Sequence, residues 1–208
     1  MTIDSDNLLK SILESLDRID YIKPDQIPGI DLYMDQVTTF VGEQLEHTKR
    51  YPEDKILTKT MINNYAKNHL LPSPEKKKYS KEHILVLIFI YYFKSILSIN
   101  DIQTLLTPLT EKYFQGDNAM DLSRIYTEVF SLEREQAEVL KQDLIATYET
   151  AGSTFEDAPE EDREFLQLFS FICLLSFDVY MKKQVIEKLV DLLPDPNTKK
   201  KDKKKEAE

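Results

Sequence analysis

The chain has 208 residues, 41% of them hydrophobic, and only four glycines. That combination allows one globular domain or two small ones and favours helix over sheet. A net charge of −10 excludes a histone-like binder that coats nucleic acid through bulk positive charge, although a DNA-binding protein needs only its footprint to be positive.

The N-terminal stretch from Ser5 to about Asp20 places Leu8, Leu9, Ile12, Leu13, Leu16 and Ile19 on one helical stripe. It is acidic and lacks the apolar core of a signal peptide, so a cytoplasmic location is expected. Pro24 and Pro28-Gly29 break the pattern. A second helix is expected from Asp31 to His47, with Leu32, Met34, Val37, Phe40, Val41 and Leu45 as its apolar positions. A loop, Thr48 to Ile56, follows and contains Pro52.

Three helices with capping signals come next. Thr58 can cap a helix running from Lys59 to His69, which must end near Leu71 because Pro72 and Pro74 follow. Ser80 caps a second, Lys81 to about Leu97. Ser98, with Asp101 three places on, caps a third, Ile99 to Leu106. The first of these has two faces. Met61, Ile62, Tyr65 and Ala66 are directed to a core. Thr60, Asn63, Asn64 and Lys67 recur at i, i+3, i+4 and i+7 and carry only hydrogen-bonding groups, with no acid. Asn can pair bidentately with adenine in a major groove, and Lys can reach guanine or phosphate. Lys76, Lys77, Lys78 and Tyr79 then form a short basic loop. A polar helix followed by a basic loop suits a winged helix-turn-helix, in which the helix specifies and the loop holds phosphates.

From Thr58 to Ile102 the sequence resembles the N-terminal DNA-binding domain of the MerR family. That family shows S-x-x-T-I-R-Y-Y-E-x-x-G-L-L, then prolines, a wing ending in R-x-Y-S-E-E-D, and F-S-L-E-E-I. The matching strings are Thr58 to Leu71, then Pro72 and Pro74, Lys77-Lys78-Tyr79-Ser80-Lys81-Glu82-His83, and Leu97-Ser98-Ile99-Asn100-Asp101-Ile102. The wing is short, Asn64 stands where the family usually has the first Tyr of its pair, and the Thr48 to Ile56 loop replaces a tight turn. The whole chain is also similar to an uncharacterised bacterial family of unknown function that carries this core. The resemblance implies a dimeric transcriptional regulator on double-stranded DNA. Its contacts would come from Thr58, Lys59, Thr60, Asn63, Asn64, Tyr65 and Lys67 on the reading helix, and from Lys76, Lys77, Lys78 and Tyr79 on the wing. MerR proteins sense a metal or small molecule through their C-terminal half; the sensing cysteines are missing here, so no effector is carried across.

The ten apolar residues from Ile84 to Phe93 are too few for a membrane span, which needs about twenty, and read as a helix buried on all sides. Past Pro108 and a Gly116-Asp117-Asn118 break, one helix is expected from Asp121 to Thr150. Pro159, with Glu160, Glu161 and Asp162 after it, opens a last helix ending near Leu193. Its middle, Phe165 to Val179, is nearly all apolar and reads as the centre of a bundle, too short and too polar to span a bilayer. The stripe Phe165, Phe169, Phe177 and Tyr180 is expected in the core, and Cys173 as a small buried hydrophobe. A lysine-rich tail, Lys199 to Glu208, is expected to be disordered.

The expected architecture is therefore all-α. An N-terminal helix (1–30) precedes a winged helix-turn-helix core (31–110), a C-terminal bundle for dimerisation or regulation (111–193) and a tail (194–208). Charge supports the placement of the core: residues 49–110 hold ten Lys and Arg against five acids, whereas both flanks are acidic. No phosphate loop, H-E-x-x-H or G-x-S-x-G is present, and the lone Cys173 offers neither an intramolecular disulfide nor a multi-thiolate metal site. No enzyme, cofactor, metal or membrane association is expected. The alternative is an all-helical protein-interaction module that does not bind DNA.

Overall fold

A computed structural model of the protein describes residues 5–17, 20–114 and 120–194. The Gly116-Asp117-Asn118 break, Ile19 and the lysine-rich tail lie outside them. The described residues are mostly helical, in the order α1 (Ser5–Leu16), β1 (Leu32–Tyr33), α2 (Met34–Gln44), a 3-10 turn (Glu46–Thr48), α3 (Lys59–Lys67), β2 (Lys78–Tyr79), α4 (Lys81–Phe93), α5 (Ile99–Tyr113), α6 (Leu122–Phe130), α7 (Glu133–Gly152) and α8 (Glu160–Val190). They fall into two compact units. One runs from Ile22 to Glu128 and includes the end of α8 from Ile186; the other joins the chain up to Tyr21 to Val129–Val185.

The Ile22–Glu128 unit is built around α4. Every side chain from Ile84 to Ile90 is buried, as an all-round apolar helix requires. Helices α2 and α5 and strand β2 pack on it, and Tyr126 of α6 sets its ring edge-on to Phe89 at 5.5 Å. From α2, Val37, Val41 and Leu45 enter the core. Two expectations fail at element ends. Leu32 and Tyr33 do not begin α2 but form a strand antiparallel to β2, Leu32 opposite Tyr79 and Tyr33 opposite Lys78. This pairing satisfies backbone groups that a helix start would leave open. Helix α5 continues through Pro108 to Tyr113 instead of ending at Leu106. Threonines help here: Thr107 Oγ1 donates to the Gln103 carbonyl at 2.7 Å and Thr110 Oγ1 to that of Leu106 at 3.1 Å.

The other unit contains α1, α7 and most of α8. Leu144, Ala151 and Phe171 form its buried centre, with Ile12, Leu13, Leu16, Tyr148, Leu174 and Leu175 packed against them. The Tyr148 and Phe171 rings meet edge to face at 5.5 Å. Lys141 joins α7 to the end of α1 through Asp17, and also contacts Glu138 at 2.9 Å; both carboxylates raise its pKa. At the α7–α8 corner, Gln167 Nε2 donates to the carbonyls of Gly152 (2.7 Å) and Thr154 (3.1 Å). The single helix expected over 121–150 is two, separated at Ser131-Leu132; Glu133 and Glu135 favour a fresh start at the positive end of α7.

Helix α8 is where sequence and structure part most. It is one helix of 31 residues, long and apolar enough by length and composition to cross a bilayer, against the expectation of a segment too short and too polar. Nor is it the centre of a bundle. Phe165, Phe169, Phe177 and Tyr180 are all exposed, Phe165 to 64%, because the inner face of α8 takes all the cover that α1 and α7 supply. Cys173 is half-buried rather than buried.

Candidate functional site

The sequence places the candidate site on α3 and the loop after it, and both are locally well defined. The Thr58 hydroxyl accepts from the Met61 N–H at 3.2 Å, capping α3 as expected. The helix ends earlier than His69, at Lys67, in a Schellman turn. Leu70 N–H donates to the Tyr65 carbonyl (2.9 Å), His69 N–H to that of Ala66 (3.2 Å), and His69 takes φ 57°, where glycine is usual. Ile62 and Tyr65 are buried and orient the helix, so its other face points outward. Thr60, Asn63, Asn64 and Lys67 are all exposed there.

After Pro74 the chain makes a tight hairpin. Lys78 N–H donates to the Glu75 carbonyl at 2.8 Å, and Glu75 and Lys78 pair as an antiparallel bridge. The central residues, Lys76 and Lys77, have φ of 48° and 65°. Positive φ at both central positions is what a type I′ turn demands, and Asn-Gly is the usual occupant. Two exposed lysines occupy a conformation that L side chains adopt at a cost.

The hairpin is anchored from beneath. Tyr79 is buried, opposite Leu32, and His83 packs edge-on to it at 5.4 Å and to Phe114 at 4.7 Å. Ser80 N–H donates to His83 Nδ1 at 3.0 Å and the Ser80 hydroxyl to Glu82 at 2.6 Å, which opens α4. Receiving that proton leaves the ring's own hydrogen on Nε2. Burial holds the His83 pKa below its ordinary value, against raising influences from the Ser73 and Pro72 backbone and from Glu82 and Asp31. Pattern reasoning on the sequence did not single out His83; a histidine three places after a capping serine was the available sign.

The predicted residues therefore divide into two groups. Tyr65 and Tyr79 are core residues, and burial pushes both hydroxyls above their ordinary pKa. Thr58 is engaged as a cap, Lys59 pairs with Asp35 on α2, and Lys78 lies over the Tyr33 ring at 5.4 Å. Thr60, Asn63, Asn64, Lys67, Lys76 and Lys77 remain as an outward-facing set. The loop before α3 is ordered. Asp54 accepts from the N–H groups of Arg50 (3.2 Å) and Tyr51 (3.0 Å), and Lys94 Nζ donates to the Ile56 carbonyl at 2.8 Å. Lys94, over the Tyr91 ring at 4.6 Å and with its pKa lowered by burial, thus braces the loop rather than adding to a surface charge patch. Among the described residues no cluster of His, Cys, Asp and Glu could hold a metal ion.

These features define a mostly helical protein with a short β-hairpin braced on a buried helix. A family model described as Domain of unknown function (DUF1836) matches residues 22–129. That is more than half of the chain, which belongs to this family; the matched span begins and ends within one residue of the α4-centred unit's main segment. No curated protein and no solved structure matches the chain.

Proposed function

We propose that the chain is a sequence-specific DNA-binding transcriptional regulator with a MerR-like winged helix-turn-helix in residues 31–110. In this reading α3 reads bases in the major groove through Asn63, Asn64, Lys67 and Thr60, and the Lys76–Lys77 turn holds phosphates. One observation carries the reading. A capped helix exposes an acid-free hydrogen-bonding face, and a hairpin ten residues on keeps two lysines at its tip in a backbone conformation that disfavours them. Strain of this kind persists where surrounding structure enforces it, and it clusters at functional positions. Order along the chain also suits a winged unit: β1, α2, α3, a hairpin whose second arm pairs with β1, then α4. The ordered segment between the 3-10 turn and α3 departs from the tight turn of a helix-turn-helix and would make this a lengthened variant.

The test is binding-site selection from random duplexes with the full chain, followed by anisotropy titrations. Lys76→Ala with Lys77→Ala should weaken selected and random duplexes alike. It should also flatten the slope of log affinity against log salt by roughly one unit for each phosphate that is no longer neutralised. Asn63→Ala and Lys67→Ala should each cost about 1–3 kcal/mol on the selected site and much less on random DNA. Failure to enrich any sequence, together with salt slopes indifferent to the lysines, would overturn the reading in favour of an all-helical interaction module.

A further inference from the structure

Helix α8 presents the largest unexplained surface of the molecule. Phe165, Phe169, Ile172, Phe177, Val179 and Tyr180 are each at least half exposed, with Met181 beside them. At that exposure each leaves on the order of 100 Å² in water, so together they approach the roughly 800 Å² that each partner buries in a stable complex. Singly exposed apolar side chains are ordinary; a contiguous patch of this size on one helix is not.

We infer that this face is covered by α8 of a second copy of the chain, packed antiparallel about a two-fold axis near the middle of the helix. Three observations select that occupant. The first is the spacing. Phe165, Phe169, Ile172, Ser176 and Val179 follow one another at intervals of four, three, four and three, the repeat that lets two helices share a continuous seam.

The second is charge. Residues 160–164 contain Glu160, Glu161, Asp162 and Glu164 against Arg163, a net of −3, while residues 181–185 contain Lys182 and Lys183 and no acid, a net of +2. An antiparallel pair lays the acidic start of each helix beside the lysines of the other. A parallel pair would stack the acidic starts and bring like charges together. One chain therefore carries both halves of a self-complementary surface, as a two-fold interface requires. The third is polar satisfaction. Ser176 lies on the seam, and its hydroxyl donates to the Ile172 carbonyl of its own helix at 2.7 Å, so burying it leaves no donor unmet.

A bilayer is the other medium that could cover an apolar helix of this length, and the unit is poorly built for it. A lone span must be apolar on all sides, yet the inner face of α8 is occupied by α1 and α7. Helix α7 carries exposed Arg134, Glu135, Glu138, Asp143 and Glu149, which would have to enter the hydrocarbon with it.

The pairing is independent of DNA binding and is tested without DNA, by sedimentation equilibrium of the full chain. The wild type should be a dimer at micromolar concentration. Ile172→Glu, placed on the seam but exposed within one copy, should weaken the dimer by well over about tenfold while leaving the helical circular dichroism unchanged. Glu160→Lys with Glu161→Lys should loosen the dimer, and adding Lys182→Glu and Lys183→Glu to the same chain should restore it. That recovery is expected only if opposite ends of the helices meet. A wild type still monomeric at about 100 micromolar, or a dimer indifferent to Ile172→Glu, would overturn the proposal. So would a monomer that floats with phosphatidylcholine–phosphatidylglycerol vesicles, since lipid would then be the cover.

Discussion

Helices α4 and α8 begin from similar sequence and end in different surroundings. Each has a middle that is nearly all apolar. In α4, Ile84 to Ile90 disappear from solvent on every side, because α2, β2, α5 and Tyr126 of α6 lie around 13 residues. In α8 the same kind of side chain is buried toward α1 and α7 and exposed on the other face along 31 residues. Hydrophobicity sets how much cover a helix requires, and the number of neighbours within the chain decides whether it is met. Where neighbours run out, the remaining demand is directed outward, toward a partner.

The comparison breaks most readily by truncation. Leu87→Ala in α4 should lower stability by about 2–5 kcal/mol, the range for removing a fully buried leucine and leaving a cavity. Phe169→Ala in α8, measured by urea unfolding in the Ile172→Glu background, should stay within about 0.5 kcal/mol of that background, because its ring has little to lose inside one copy. Comparable losses at both positions would mean that α8 is covered within the chain and that the two helices do not differ.

What could be read from the residues follows the same division. The caps at Thr58 and Ser98 are short-range chemistry, and both form as written. The buried character of α4 also follows from its composition. The exposure of α8 does not, because a run of apolar side chains does not reveal how many other helices will reach it. Strands β1 and β2 are two residues each, too short for any alternation to register, and the hairpin between Glu75 and Lys78 lacks the Asn-Gly that usually announces such a turn. Spacing alone selected Thr60, Asn63, Asn64 and Lys67 as an outward face. It could not tell Tyr65 and Tyr79, which are anchors, from residues available for contact.

A smaller effect tests how the α4-centred unit supports its hairpin. His83 is 4% exposed, and burial lowers its pKa below the ordinary 6.5. The unfolded chain therefore binds a proton more readily than the folded one, and stability falls as pH drops through the unfolded pKa, levelling off below the folded pKa. Glu82 and Asp31, which favour the charged ring, reduce the effect without reversing it. The urea midpoint should be lower at pH 5 than at pH 7.5, and His83→Gln should remove part of that difference while leaving the carboxylate contributions in place. The same pH dependence in the variant would show that the ring does not couple protonation to folding. No comparable dependence is expected from α8, whose apolar outer face carries no histidine.

The smallest expected change in stability has the most direct bearing on function. Lys76 and Lys77 hold φ of 48° and 65° at the two central positions of the hairpin. Replacing them by Asn and Gly would give that turn the residues its backbone prefers, and should raise stability by about 1 kcal/mol. If the lysines are kept for phosphate contact, the same substitution should weaken binding to every duplex and reduce the salt slope by up to roughly two. A more stable protein that binds less well would separate the two demands on this turn, folding favouring Asn-Gly and the ligand favouring Lys-Lys. A gain in stability with unchanged affinity would leave the strained lysines without a role in binding. A loss of stability would show that the lysine side chains themselves, rather than the surrounding backbone, hold the hairpin closed.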